Sequence, residues 1–159
     1  MVKTDPIDAL VQGWTSVRPD LDFRPMAVFA RCNRLVTLGL RSLESALSQH
    51  DLTVGDFDVL SALRRSGAPF TLRPSELAER LMVTRAGVTS RVDRLAERGL
   101  VERRRDLEDR RSEPIVLTDA GRRTIEGALS DFLEAEADLF AALTENQQRQ
   151  LESLLRRLE

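Results

Sequence analysis

Residues 73–117 read RPSELAERLMVTRAGVTSRVDRLAERGLVERRRDLEDRRSEPIVL. The stretch divides into helix, short turn, helix, and two strands joined by a charged tip. Pro74 opens the first helix, because its fixed φ suits a first turn. Leu77, Ala78 and Leu81 share one face of it. Met82 and Val83 break the pattern, and Thr84 caps the next helix with its side-chain oxygen. In that second helix Val88, Val92 and Leu95 recur at helical spacing and form its buried face. Gly99 ends it in the left-handed conformation. Leu100–Arg105 reads as a strand, Asp106–Glu113 as a polar tip, and Pro114–Leu117 as the returning strand.

A helix-turn-helix followed by a β-hairpin wing reads DNA: the second helix fits the major groove. An Arg-rich tip fits the neighbouring minor groove. With Val88, Val92 and Leu95 inside, Ser90 and Arg94 point outward. Thr89 lies on the flank and Arg85 near the N-terminal end, so these four are the candidate groove contacts. Arg110 and Arg111 are the candidate wing contacts, with Asp109 orienting the tip by pairing with an arginine. Arg91 lies roughly 70° from the centre of the buried face on a helical wheel. It is angled toward the protein body, as a structural ion pair or as the cationic wall of a pocket.

The motifs ELAERL, VTRAGVTSRVDRLAERGLVER and DLEDRRSEPIVLTDAG resemble the multiple-antibiotic-resistance regulator (MarR) family of winged-helix transcription factors. Asp109-Arg110-Arg111 matches that family's Asp-x-Arg wing signature. An upstream copy common in the family is broken here, because Glu108 stands where its Arg would be. The resemblance covers nearly the whole chain. It implies a mostly α fold with a small β wing (α+β), in which a winged helix-turn-helix domain is flanked by dimerisation helices. The expected division is 1–50 for an N-terminal arm and long helix, 51–118 for the DNA-binding domain, and 119–159 for C-terminal dimerisation helices.

The totals agree. A chain of 159 residues with 42% hydrophobic residues makes one domain, with or without an oligomerisation arm. The formal net charge is −2, but residues 80–111 hold ten arginines against six acids, and residues 120–159 five against eight. Positive charge is concentrated where the reader lies. One cysteine excludes an intramolecular disulfide framework and fits a reducing cytoplasm. No signal segment and no membrane-spanning run is apparent. No Gly-rich phosphate loop, Ser/His/Asp set or Cys/His metal cluster occurs, so no catalytic residue, metal or cofactor is expected and the chain does not read as an enzyme.

Outside the reader, residues 7–17 carry Ile7, Leu10, Val11 and Trp14 at helical spacing after Pro6. Trp14 either anchors this arm or walls a ligand pocket. A long helix runs from Pro25 to about His50, with Met26, Phe29, Asn33, Val36, Leu40, Leu43 and Leu47 on a broad apolar face. Thr37 can return its hydroxyl to a carbonyl one turn back. Asn33 has no such local solution and needs a partner if buried. Cys32 reads as a small, at least half-buried hydrophobe. Thr53-x-x-Asp56 has capping-box spacing, with Asp for the usual Glu. Residues 68–72 form a loop and a short strand that can join the wing. After Thr118 a helix runs to about Leu143. Thr144–Gln147 then caps a last helix, whose Leu151, Leu154, Leu155 and Leu158 need a partner surface. A second copy of the chain is the economical partner, and two-fold symmetry places two readers about one DNA turn apart on a pseudo-palindromic operator.

Three readings follow: a ligand-responsive dimeric repressor, a thiol sensor of the same fold using Cys32, and a helical protein-interaction module that binds no DNA. The resemblance favours the first. Peroxide-sensing members pair an early cysteine with tyrosines, and this chain has no Tyr. It is more similar to the urate-responsive subgroup, whose extra N-terminal helix carries a Trp. That resemblance implies Trp14, Asn33, Asp58 and Arg91 as ligand residues and a small aromatic anion such as urate as effector.

Overall fold

A computed structural model describes residues 5–104 and 113–158. The chain forms two compact units, Met1–Arg41 and Ser42–Glu159.

In the first unit, Asp5 accepts the Ile7 amide hydrogen at 2.7 Å and starts helix α1 (Pro6–Val17). A bidentate Arg18–Asp20 pair, 2.6 and 2.8 Å, follows where α1 stops. Helix α2 (Arg24–Ser48) begins with the Arg24 amide donating to Asp22 at 2.9 Å, and it continues into the second unit. Trp14 stacks on Phe23 with ring centroids 6.1 Å apart, and Arg31 pairs with Asp8 at 2.6 Å. Thr37 donates its hydroxyl to the Asn33 carbonyl at 2.9 Å, the local solution expected of it. The apolar face of α2 is another matter. Phe29 is 76% and Val36 58% exposed in the single chain, and Cys32 and Asn33 are exposed too. Cys32 is therefore exposed and not the buried or half-buried hydrophobe the sequence suggests.

The second unit starts from the end of α2, where Leu47 is fully buried. Helix α3 (Val54–Arg65) carries the expected capping box: Thr53 and Asp56 each accept the other's backbone N–H, both at 3.1 Å. Gly67 takes φ 78° beyond its end. Then come strand β1 (Thr71–Leu72), helix α4 (Pro74–Arg80) and helix α5 (Arg85–Glu97). Between the helices Met82 holds φ 52° and is 92% exposed, which makes the turn without burying its side chain. Thr84 caps α5 by accepting the Gly87 amide hydrogen at 3.1 Å. Gly99, at φ 69°, turns the chain into strand β2 (Val101–Arg103), and strand β3 (Ile115–Leu117) returns. The antiparallel sheet has the order β1-β3-β2, so the short strand at 71–72 does join the wing.

Helix α6 (Asp119–Leu139) is seated by a close approach. A Cβ on Gly121 would lie 2.0 Å from the Leu100 carbonyl oxygen, so only glycine fits. Thr118 donates to the Gly99 carbonyl at 2.8 Å while accepting the Gly121 amide hydrogen at 3.0 Å. α6 ends four residues before the expected Leu143, at a cap on Phe140. Helix α7 (Glu145–Leu155) starts from the expected Thr144–Gln147 box, and Leu158 lies beyond it.

Leu60, Leu63, Leu77, Val88, Val92, Leu95 and Ile115 are all fully buried and knit α3, α4, α5 and β3 into one core. At about 1.5–3 kcal/mol per buried aliphatic side chain, this cluster fixes the inner face of α5 and so decides which residues it presents outward. Phe57 stacks on Phe132 at 4.0 Å and joins α3 to α6.

Candidate nucleic-acid interface

With Val88, Val92 and Leu95 inside, α5 exposes Arg85, Ala86, Thr89, Ser90, Asp93 and Arg94. Arg85 is at the first turn, where a groove-docking helix meets base edges. Thr89 donates its hydroxyl hydrogen to the Arg85 carbonyl at 3.0 Å. The Ser90 hydroxyl has no hydrogen-bond partner among the described residues.

Arg94 departs from the outward, base-seeking orientation that the helical wheel suggests. Its Nε and Nη2 lie 3.1 and 2.6 Å from Oδ1 of Asp56 on α3. The Asp56 side chain is 2% exposed and that of Arg94 45%. Oδ2 of Asp56 takes both the amide and hydroxyl hydrogens of Thr53, at 3.1 and 2.8 Å. Burial by itself would raise the Asp56 carboxyl, but the hydrogen bonds from Arg94 and Thr53 outweigh it and hold the group below its ordinary value. Asp56 was legible only as a cap. A capping Asp uses one oxygen on the helix start, and the second, once buried, requires a donor.

A second brace runs the other way. Asp93 on α5 accepts from Arg103 on β2 at 2.8 Å. Arg98 donates to the Asp51 carbonyl at 2.6 Å. Helix α5, strand β2 and the start of α3 are thus tied by ion pairs that sequence reasoning did not find. Asp109, Arg110 and Arg111 lie outside the described residues.

Arg91, three positions before Arg94, also faces α3, with a different result. Its guanidinium lies over Gly55, where an added Cβ would stand 2.8 Å from both Cζ and Nε. Nη1 is buried, has no hydrogen-bond partner, and stands 3.8 Å from Oδ2 of Asp58. The Asp58 side chain is 42% exposed. Burial raises its carboxyl above the ordinary value, and the charges of Arg91 and Arg65 offset only part of that rise. The structure therefore brings Asp58 and Arg91 together, angled toward the body as the wheel indicates. Trp14 and Asn33 belong to the first unit, Trp14 stacked on Phe23 and 46% exposed.

His50 Nε2 lies 2.7 Å from Oδ2 of Asp131. No group of acids, His and Cys among the described residues could hold a metal ion. No helix among them is long and apolar enough to cross a membrane.

The MarR family pattern matches residues 50–112. The HTH-type transcriptional regulator PecS of Dickeya dadantii (strain 3937) is 37% identical over 153 residues, 96% of this chain and 92% of its own length. The HTH-type transcriptional repressor MdtR of Bacillus subtilis (strain 168) is 33% identical over 108 residues, 68% of this chain and 67% of its own. The crystal structure of a mutant MarR from E. coli complexed with operator DNA is similar at a TM-score of 0.76 and 28% identity, over 86% of this chain and 96% of that one.

Proposed function

Because this chain belongs to the MarR family of transcriptional regulators, we propose that it is a homodimeric repressor released from a pseudo-palindromic operator by a small planar anion such as urate. DNA binding is supported by the exposed stripe of α5 and by the likeness to a relative complexed with operator DNA. Arg85, Thr89 and Ser90 face the major groove, and Arg110 and Arg111 follow the wing into the minor groove with Asp109 orienting the tip. Arg94 is reassigned from reading a base to holding α5 on α3. Dimerisation is supported by apolar side chains that a lone chain leaves in water: Phe29 and Val36 on α2, and Leu154, Leu155 and Leu158 at 57%, 46% and 79% exposure near the C-terminal end. Repression is the activity named for the relative MdtR.

The observation that carries the effector reading is Arg91 Nη1, buried and without a hydrogen-bond partner beside a raised carboxyl. A cation so placed lacks an acceptor, and a planar anion supplies one. An anion on Arg91 draws it from its seat over Gly55 and shifts α5, which carries the base-facing residues. The effect is a population shift, so the anion must bind the non-reading state more tightly than the reading one.

Gel shift on the DNA upstream of the protein's own gene, with and without urate, tests the whole reading. Wild type binds and is released. Arg91→Ala binds but responds weakly, and Trp14→Phe and Asn33→Ala ask whether the first unit takes part. Release of Arg91→Ala at the wild-type urate concentration places the effector elsewhere. Cys32→Ser keeps both activities; a variant that binds DNA yet ignores the effector or an oxidant restores the thiol-sensor reading.

A further inference from the structure

The exposed stripe of α5 can be read for base preference, an inference that rests on the DNA-reading role proposed above. Its centre is Ala86, Thr89 and Ser90, all exposed. Ala86 offers a bare methyl group. Thr89 has one hydroxyl hydrogen and donates it to the Arg85 carbonyl at 3.0 Å, which leaves a methyl group and an acceptor oxygen for a partner. Of the three, Ser90 alone has a hydroxyl hydrogen that no described residue receives.

Two charged neighbours on the C-terminal side of the stripe, Asp93 and Arg94, are engaged. Recognition of guanine takes a free guanidinium fork, and recognition of the cytosine amino group takes a free carboxylate. The fork of Arg94 is closed on Asp56, with Nη2 at 2.6 Å and Nε at 3.1 Å. The carboxylate of Asp93 is held by Arg103 at 2.8 Å. The middle of the reading face is therefore small and methyl-rich, followed by charges already paired within the protein and preceded by Arg85. In the major groove the base feature that matches a methyl surface is the 5-methyl group of thymine. Residues three apart on a helix have Cβ atoms about 5–6 Å apart, against a rise of about 3.4 Å per base along one strand, so Ala86 and Thr89 reach adjacent or next-adjacent base pairs.

We infer that the centre of the recognition helix selects thymine, by contact of its 5-methyl groups with Ala86 and Thr89, and that each operator half-site carries thymines facing these two residues. Arg85, at the end of the stripe, is left for guanine or phosphate.

The test uses the full-length protein and a site selected from a random duplex pool. Each thymine of the selected site is replaced singly by deoxyuridine, which removes the methyl group and leaves base pairing intact. Affinity is expected to fall about fourfold at the contacted positions, equivalent to about 0.8 kcal/mol for one buried carbon. Thr89→Ser, which deletes the same contact from the protein side, loses about fourfold on the thymine site and nothing further on deoxyuridine at its own position. Thr89→Val keeps the methyl groups and binds as wild type. Deoxyuridine that is silent at every position, or a Thr89→Ser loss that adds in full to the deoxyuridine loss, overturns the inference while the DNA-reading role stands. A pool that yields no bound sequence overturns both.

Discussion

Asp56 and Asp58 stand two positions apart on α3, and each faces an arginine of α5. Asp56 is closed: 1% exposed, with one oxygen on Arg94 and the other on Thr53, and its carboxyl is lowered. Asp58 is open: 3.8 Å from an arginine nitrogen with no hydrogen-bond partner, and its carboxyl is raised. The same two helices thus carry one finished ion pair and one unfinished. A buried charge is tolerated when hydrogen bonds replace its water, and Asp56 receives four. Asp58 and Arg91 are partly desolvated without that compensation, and this is what supports the effector reading proposed above. The closed pair ties α5 to α3, and the open pair leaves an arginine nitrogen between the same helices without an acceptor.

The comparison breaks most readily at Asp56. Asp56→Ala removes the acceptor of the Thr53 amide hydrogen in the capping box, about 1 kcal/mol, and a charged hydrogen bond of about 1.5–3 kcal/mol. At about 2–4 °C per kcal/mol for a chain of this size, thermal melting followed by circular dichroism at fixed protein concentration should fall by roughly 5–16 °C. An unchanged midpoint would mean that the Arg94 pair contributes nothing to holding α5.

Acid separates the two carboxyls next. A lowered folded-state value means that the Asp56 contribution is present above the unfolded value, near 3.9, and is lost as pH falls through the folded one. Wild-type stability should therefore drop as pH is taken below about 4, with a shallower drop in Asp56→Asn. Asp58 runs oppositely. Its contribution is present below that unfolded value and is lost as pH rises through the raised folded one. Denaturant midpoints measured from pH 3 to pH 7 test both, and superimposable wild-type and Asp56→Asn profiles would count against the closed pair.

The smallest effects belong to the open pair. Arg91→Ala and Asp58→Asn should each leave the melting midpoint at pH 7 within about 2 °C of wild type, as substitutions outside a satisfied network do. Arg91→Ala nevertheless loses most of its response to urate in the gel shift. A large loss of stability in Arg91→Ala would make this pair structural and move the effector elsewhere.

Much of this architecture is legible in the amino-acid sequence. Thr84, Gly99, Thr118 and the Thr53 and Thr144 boxes mark element ends by chemistry confined to a few residues. The Val88, Val92 and Leu95 repeat fixes the inner face of α5. Arg91 is legible too, because a helical wheel shows it angled inward. Arg94 is not: the wheel gives the direction of its Cβ, while a long, flexible stem carries the guanidinium to whatever acceptor lies in reach. The apolar face of α2 was legible as apolar, but periodicity does not say whether Phe29 and Val36 are covered, and both are exposed.

The sequence by itself determined the order of elements, the buried side of α5 and the family, because caps, turns and hydrophobic periods act between residues a few positions apart. Tertiary structure decided which arginine is spent and which is available. That choice depends on Asp56 and Asp58, 38 and 33 residues from their partners. Nothing in either local pattern says which carboxylate is buried deeply enough to need four hydrogen bonds and which is left with none from its arginine.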